Sequence, residues 1–325
     1  MWYPAIEPFR HGILAVDHGH QLYWEMCGNP QGTSALVVHG GPGGGCSPNS
    51  RRWFDPARYC AVLFDQRGCG RSEPRASLDH NTTNDLIADI ETLRVELAIE
   101  QWVVLGRSWG AALAIAYAER HPERVAAMVL NAVFTARCSE LEWLYQGGAA
   151  NIYPEAWSRF VAPIDPRKRE DLIKAYHARV TCGDLGEELA AARDWCGWEH
   201  AIRSSLPGAP GGDDRTLRAR ARIETHYFVH RAFLAEGQLL EAAHRLAPIP
   251  GVIVQGRCDV VTPPTTAWDL HRVWPTSRLQ LVPHAGHDAC EPDVMRALIE
   301  ATDSVGQTES RSRAKWSINV AADFC

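Results

Sequence analysis

Ten consecutive residues constrain this chain more than any others: Val103-Val104-Leu105-Gly106-Arg107-Ser108-Trp109-Gly110-Ala111-Ala112. A β-branched run leads into Gly-x-Ser-x-Gly, and an Ala-rich helical segment follows from Leu113 to Glu119. Strand, tight turn and helix, in that order, form the context a nucleophile elbow demands. So sharp a turn needs flanking residues without bulk. Gly106 and Gly110 meet that need, because a Cβ at either place would crowd neighbouring backbone. Ser108 then projects from the sheet edge above the positive end of the following helix. Gly-x-Ser-x-Gly also occurs by chance in Gly-rich chains, so the flanking strand and helix carry the reading.

A chain of 325 residues suggests one large domain, or a core with an inserted subdomain. Apolar content of 46% and charged content of 22% are ordinary for a soluble globular protein. A net charge of −6 argues against a nucleic-acid surface and offers no polybasic membrane anchor. The ten cysteines are scattered, with no Cys-x-x-Cys spacing, so a metal site has little support. They read as mostly buried thiols in a reducing compartment. No signal-peptide pattern and no apolar run of roughly 20 residues is present, so the expectation is a cytoplasmic protein with no membrane association.

Residues Gly12–Val16 and Gln21–Met26 read as a hairpin around Asp17-His18-Gly19. Ala35–Val38 and Ala61–Phe64 are continuous apolar strands, each ending in a Gly-rich run, which indicates a parallel sheet covered on both faces. Asn84 is a candidate cap for a helix from Asp85 to about Ile99. The elbow comes next, then a strand at Ala127–Asn131, giving a doubly wound α/β order. From Phe134 to Ala247 that order breaks. Candidate helices there are Glu140–Tyr145, Arg167–Val180, Gly186–Asp194 and Arg215–Leu234, interrupted by Leu206-Pro207-Gly208-Ala209-Pro210-Gly211-Gly212. Strands resume at Val252–Gln255 and Leu279–Val282, and a last helix spans about Pro292–Thr302. The expected organisation is therefore a core at 1–133 and 248–303, a helical cap at 134–247, and a disordered tail at 304–325.

A serine hydroxyl needs a base to take its proton, and that base needs an orienting carboxylate. In an α/β-hydrolase the chain order is Ser, then Asp or Glu, then His, with the last two on loops after late strands. Asp259 follows Val252–Gln255 and His287 follows Leu279–Val282, so Ser108, Asp259 and His287 are the candidate catalytic residues. Asp259 is also suited to forming the turn before Thr262-Pro263-Pro264. His284 is the rival to His287, which is preferred because Gly286 permits a tight approach to Ser108. A tetrahedral oxyanion needs two backbone donors. Trp109 supplies one by its place after the nucleophile; Gly41, with Gly40 second, supplies the other from His39–Gly45. A phosphate-cradling loop is the competing reading of those glycines, but no Gly-Lys-Ser/Thr follows, and Pro42 lacks an N–H.

Together, His39-Gly40-Gly41-Pro42-Gly43-Gly44, Asp65-Gln66-Arg67-Gly68-Cys69-Gly70-Arg71-Ser72 and Gly106-Arg107-Ser108-Trp109-Gly110 resemble the proline iminopeptidase (prolyl aminopeptidase) family of α/β-hydrolases. The similarity runs from about Gln21 to Leu298 and implies a mostly parallel doubly wound sheet with an inserted helical cap. It also implies release of an N-terminal proline from peptides by a serine mechanism, with no cofactor and no metal. The family's cap presents glutamates to the substrate's free amine. Two segments, Trp195–Glu199 and Ala221–Phe228, resemble those positions, which makes Glu199 and Glu224 the implied amine-binding pair. A cationic amine entering an apolar pocket does need a carboxylate partner. Trp195, Trp198, Tyr227 and Phe228 stand beside them as candidate contacts for a pyrrolidine ring. Arg107 departs from the family's usual Gly-Gly-Ser-Trp-Gly, and so motivates an alternative: an esterase, amidase or thioesterase acting on a small acyl substrate. A non-enzymatic binding protein is the third reading, against which the complete Ser, Asp and His set argues. A dehalogenase or epoxide hydrolase of this fold would need a carboxylate at position 108.

Overall fold

A computed structural model describes residues 2–203 and 211–319. Eight strands form one sheet: β1 (Arg10–Ala15), β2 (Gln21–Gly28), β3 (Thr33–Val38), β4 (Tyr59–Phe64), β5 (Trp102–Arg107), β6 (Val125–Asn131), β7 (Gly251–Gly256) and β8 (Ser277–Val282). Their spatial order is β1-β2-β4-β3-β5-β6-β7-β8. Pairings β1–β2 and β2–β4 are antiparallel, and every other pairing is parallel. The central strands are continuous apolar runs because both their faces are covered. Tyr59–Phe64 is buried at every position, and Trp102–Leu105 is buried in full.

Two helices of the first core part, α1 (Thr83–Glu96) and α2 (Trp109–Arg120), pack against one face of the sheet. Thr82 caps α1 by accepting from the Asp85 N–H, rather than Asn84, because the Asp85 carboxylate answers with a bond to the Thr82 N–H. Then come the cap helices α3 (Cys138–Tyr145), α4 (Pro154–Val161), α5 (Leu172–Val180), α6 (Leu185–Arg203) and α7 (Asp214–Val229). Short α8 (Gln238–Glu241) leads back to the core, where α9 (Pro264–Val273) follows β7. The long α10 (Pro292–Asn319) covers the opposite face of the sheet.

Three departures from the expected helices have physical causes. Helix α6 does not end at Asp194, because Trp195, Trp198 and Ile202 extend its buried stripe past Gly197. Helix α4 was not foreseen; Pro154 opens it, and Ala156 and Phe160 bury one side. Helix α10 runs beyond Thr302, through the residues expected to be a disordered tail. Its apolar stripe Val294, Ala297, Ala301 and Val305 stays against the sheet, so Ser304 is no boundary. Residues 320–325, and 206–210 of the expected cap interruption, lie outside the described residues. The cysteines are more exposed than expected: Cys27, Cys60, Cys69 and Cys196 are buried, whereas Cys182, Cys258 and Cys290 are open to solvent. Among the described residues no helix is long and apolar enough to cross a membrane.

What positions the site is the strand order. The chain moves outward from β3 to β4, then returns to place β5 on the other side of β3. Loops leaving the carboxyl ends of two such strands diverge to opposite faces and open a crevice between them. Here those loops are His39–Gly45 and the turn at Ser108.

Candidate active site

Ser108 adopts φ 54° and ψ −123°, a left-handed conformation that a side chain avoids at a cost of about 1–3 kcal/mol. The ladder holds it there: Arg107 pairs with Asn131 at the end of β5, and the Ser108 N–H donates to the Asn131 carbonyl at 3.0 Å. Steric need for the flanking glycines is plain. A Cβ on Gly110 would sit 2.2 Å from the Val38 carbonyl oxygen, and one on Gly106 would sit 2.4 Å from that of Gly110. Helix α2 therefore lies hard against the ends of β3 and β5, which brings the His39–Gly45 loop to the elbow. A Cβ on Gly40 would be 3.5 Å from the Ser108 Cβ.

Asp259 and His287 come together across the ends of β7 and β8. His287 Nδ1 lies 2.9 Å from Asp259 Oδ2 and 3.1 Å from Oδ1, with both side chains buried. Asp259 also accepts from the Thr262 N–H (2.9 Å), the Thr262 hydroxyl (2.9 Å) and Gln255 Nε2 (3.1 Å). The turn role and the His-orienting role thus belong to the same carboxylate. With Nδ1 engaged, Nε2 is the ring nitrogen left for chemistry. His284 is exposed, at the other side of its turn.

Gly286 does not serve the purpose first assigned to it. Its N–H donates to Glu291 at 3.0 Å, and a Cβ there would meet the Glu291 carboxylate rather than Ser108. The close approach is at Gly256 instead, where a Cβ would fall 2.2 Å from the Gly286 carbonyl oxygen. That contact packs the loop bearing Asp259 against the one bearing His287.

Gln66 ties the start of the His39–Gly45 loop to the Trp109 side chain. Its Nε2 donates to the His39 carbonyl at 2.9 Å, and its Oε1 accepts from Trp109 Nε1 at 2.9 Å. The buried His39 ring accepts from the Gln66 N–H through Nε2 (3.0 Å) and donates from Nδ1 to the Gly40 carbonyl (2.8 Å). Burial lowers the His39 pKa and favours this neutral form. Gly41 lines the cavity. Trp109 does not line it: its indole is fully buried, while its N–H opens α2, where the first amides have no partner within the helix. The rest of the Asp65–Ser72 motif is a brace: Arg67 pairs with Asp89 through two 2.7 Å bonds, and Asp65 accepts from Cys46 and Arg71.

Over the elbow, the cap encloses a cavity of about 330 Å³ lined by Gly40, Gly41, Ser108 and His287 from the core and by Glu199 and Glu224 from α6 and α7. Glu224 is buried and accepts from Trp195 Nε1 at 2.9 Å. Glu199 is half-buried and accepts from the Tyr145 hydroxyl. Burial raises the Glu224 pKa well above the usual carboxylate range; the charge of Glu199 adds to that, while Arg220 pulls the other way.

Of the four aromatics expected to touch substrate, only Phe228 lines the cavity, joined by Phe134 and Tyr145. Trp195, Trp198 and Tyr227 are cap core: Trp195 stacks on Tyr145 at 4.5 Å, and the Tyr227 hydroxyl reaches Asn81 at 2.8 Å. Their helical spacing from the glutamates turns them inward. Sequence reasoning also missed Arg203 and Arg220, two cations among the lining residues; their only signal is α6 and α7 periodicity, legible once the helix bounds are known.

Known proteins resemble this chain in sequence and in fold. Residues 36–294 match a family model described as the alpha/beta hydrolase fold. Proline iminopeptidase of Xylella fastidiosa (strain 9a5c) is 52% identical over 307 residues, covering 93% of this chain and 98% of that protein. The Arabidopsis thaliana proline iminopeptidase is 46% identical, covering 93% of this chain and 81% of its own length. Among solved structures, an esterase from Exiguobacterium antarcticum superposes with a TM-score of 0.61 at 16% identity, covering 90% of this chain and 98% of that one, a likeness of fold alone. The chain belongs to the proline iminopeptidase family of α/β hydrolases.

Proposed function

We propose that this protein is a serine aminopeptidase that releases an N-terminal proline, or a similar residue, from peptides. Ser108 Oγ attacks the carbonyl of the first residue while His287 Nε2 takes the hydroxyl proton, and Asp259 orients the ring. The N–H groups of Gly41 and Trp109 stabilise the oxyanion. His287 then gives its proton to the departing amine, leaving an acyl-enzyme. Water attacks that ester with His287 again as base, and the freed Ser108 releases the amino acid. Glu199 and Glu224 hold the substrate's ammonium, which restricts cleavage to the first peptide bond. This division makes 134–247 a selectivity cap on a core at 1–133 and 248–303.

The observation that carries this reading is one cavity lined both by Ser108 and His287 and by Glu199 and Glu224. An amine held by the glutamates leaves its own carbonyl carbon two bonds further on, across Cα, for the Ser108 side of the cavity. Hydrolysis of proline p-nitroanilide tests it: Ser108→Ala is expected to lower kcat by about 10³-fold or more. Undiminished turnover by that variant would refute the mechanism. An esterase, amidase or thioesterase would instead turn over N-blocked acyl substrates at rates that Glu199→Gln leaves unchanged.

A further inference from the structure

Arg107 stands immediately before Ser108 and lines the cavity with Ser108 and His287. Its Nε donates to Asn131 Oδ1 at 3.0 Å, which fixes the guanidinium plane. Its two terminal nitrogens have no hydrogen-bond or ion-pair partner among the described residues. The face of Trp53 lies 5.6 Å from its guanidinium carbon. Burial disfavours the charge, and Asp288, the acid that most offsets this, stands outside ion-pair distance. A half-buried guanidinium with a free fork is a site for an anion, because the anion recovers what burial has cost.

The cavity has two poles. Arg107 lies on the core side, at the end of β5 beside Ser108, with His287 and Asp288 of the loop after β8. Glu199 and Glu224 line it from the cap, on α6 and α7. If the cap pole holds the ammonium and Ser108 the carbonyl, the departing residue lies toward Arg107. In a dipeptide that residue carries a carboxylate one residue step beyond the cleaved bond, about 3.8 Å between Cα atoms. A longer peptide presents a neutral amide there. At about 330 Å³ the cavity is also near the small end of ligand sites.

We propose that Arg107 receives the free carboxylate of the departing residue, so that dipeptides with an open C-terminus are the preferred substrates. This rests on the aminopeptidase reading given above. Arg107 is thus a specificity residue whose fork pairs with a carboxylate in a way a lysine cannot reproduce.

Rates on prolyl-glycine, prolyl-glycinamide and proline p-nitroanilide test it, in the wild type and in Arg107→Gln and Arg107→Lys. The wild type is expected to favour the acid over the amide by about tenfold or more in kcat/KM, mainly through KM. Arg107→Gln brings that ratio close to one, and Arg107→Lys leaves it between. A wild-type ratio near one, with the p-nitroanilide cleaved, overturns this inference and leaves the aminopeptidase reading standing. A ratio that survives Arg107→Gln also overturns it. Failure to cleave any prolyl compound overturns both. The wild-type ratio is informative even if a variant does not fold.

Discussion

The strand-end residues and the cap glutamates are placed by different means. Ser108, Asp259 and His287 leave the carboxyl ends of β5, β7 and β8, so hydrogen-bond register between strands fixes where their loops start. Glu199 and Glu224 sit on helices, and no ladder ties α6 or α7 to the sheet. Their positions depend on aromatic packing: Tyr145 on Trp195, Phe160 on Tyr176 at 4.6 Å, and Trp109 against Tyr227 at 4.8 Å across the cap and core. The first arrangement suits a reaction that tolerates no displacement. On the proposed reading, the second can change which substrate is held without disturbing the chemistry.

That contrast is broken or sharpened by substitution, starting at the strand ends. Asp259→Asn removes the charge that orients and stabilises the His287 ring, and a fall in kcat of on the order of 10³–10⁴-fold is expected. Steady-state kinetics should show the same loss for amine-bearing and N-blocked acyl substrates. Glu224→Gln is expected to cost about 10²-fold in kcat/KM, because it leaves a substrate ammonium short of a buried partner. That loss should be confined to substrates with a free amine; equal losses on N-blocked esters would erase the distinction between the regions.

The smallest effect lies at neither. Glu119, buried near the end of α2 with Oε1 unpartnered, has its pKa raised to about 8 by burial, with Arg245 opposing. The folded protein then holds a proton there that the unfolded chain releases above about pH 4.3. Stability from that proton is present at low pH and lost as pH rises toward 8, on the order of 3 kcal/mol between pH 5.5 and pH 8. Urea denaturation at pH 5.5 and pH 8 should show Glu119→Gln flattening this dependence, with activity unchanged. An undiminished pH dependence would place its origin elsewhere.

Much of the core was legible before any coordinates. The elbow and the chain order of Ser108, Asp259 and His287 are local patterns, and the sheet preserves them. The cap was less so. Glu199 and Glu224 stand out only by family resemblance, since nothing in their spacing separates a buried glutamate from a solvated one. Helix α6 was expected to end at Asp194, whereas the packing of Trp195 and Trp198 carries it through Gly197 to Arg203. Gln66 and Gly256 escaped because their partners are distant in sequence: Trp109 for Gln66, and Gly286 for Gly256. The length of α10 was missed because the composition after Ser304 is polar and shows no helical period.

Central to the account is a Ser108 hydroxyl made nucleophilic by the His287–Asp259 pair. Labelling with a fluorophosphonate, followed by peptide mass mapping, tests this most directly. The account predicts one phosphonate per chain, on Ser108, with turnover of proline p-nitroanilide lost in proportion, and strongly slowed labelling in His287→Gln. Label on another residue, or full turnover with Ser108 modified, would contradict it.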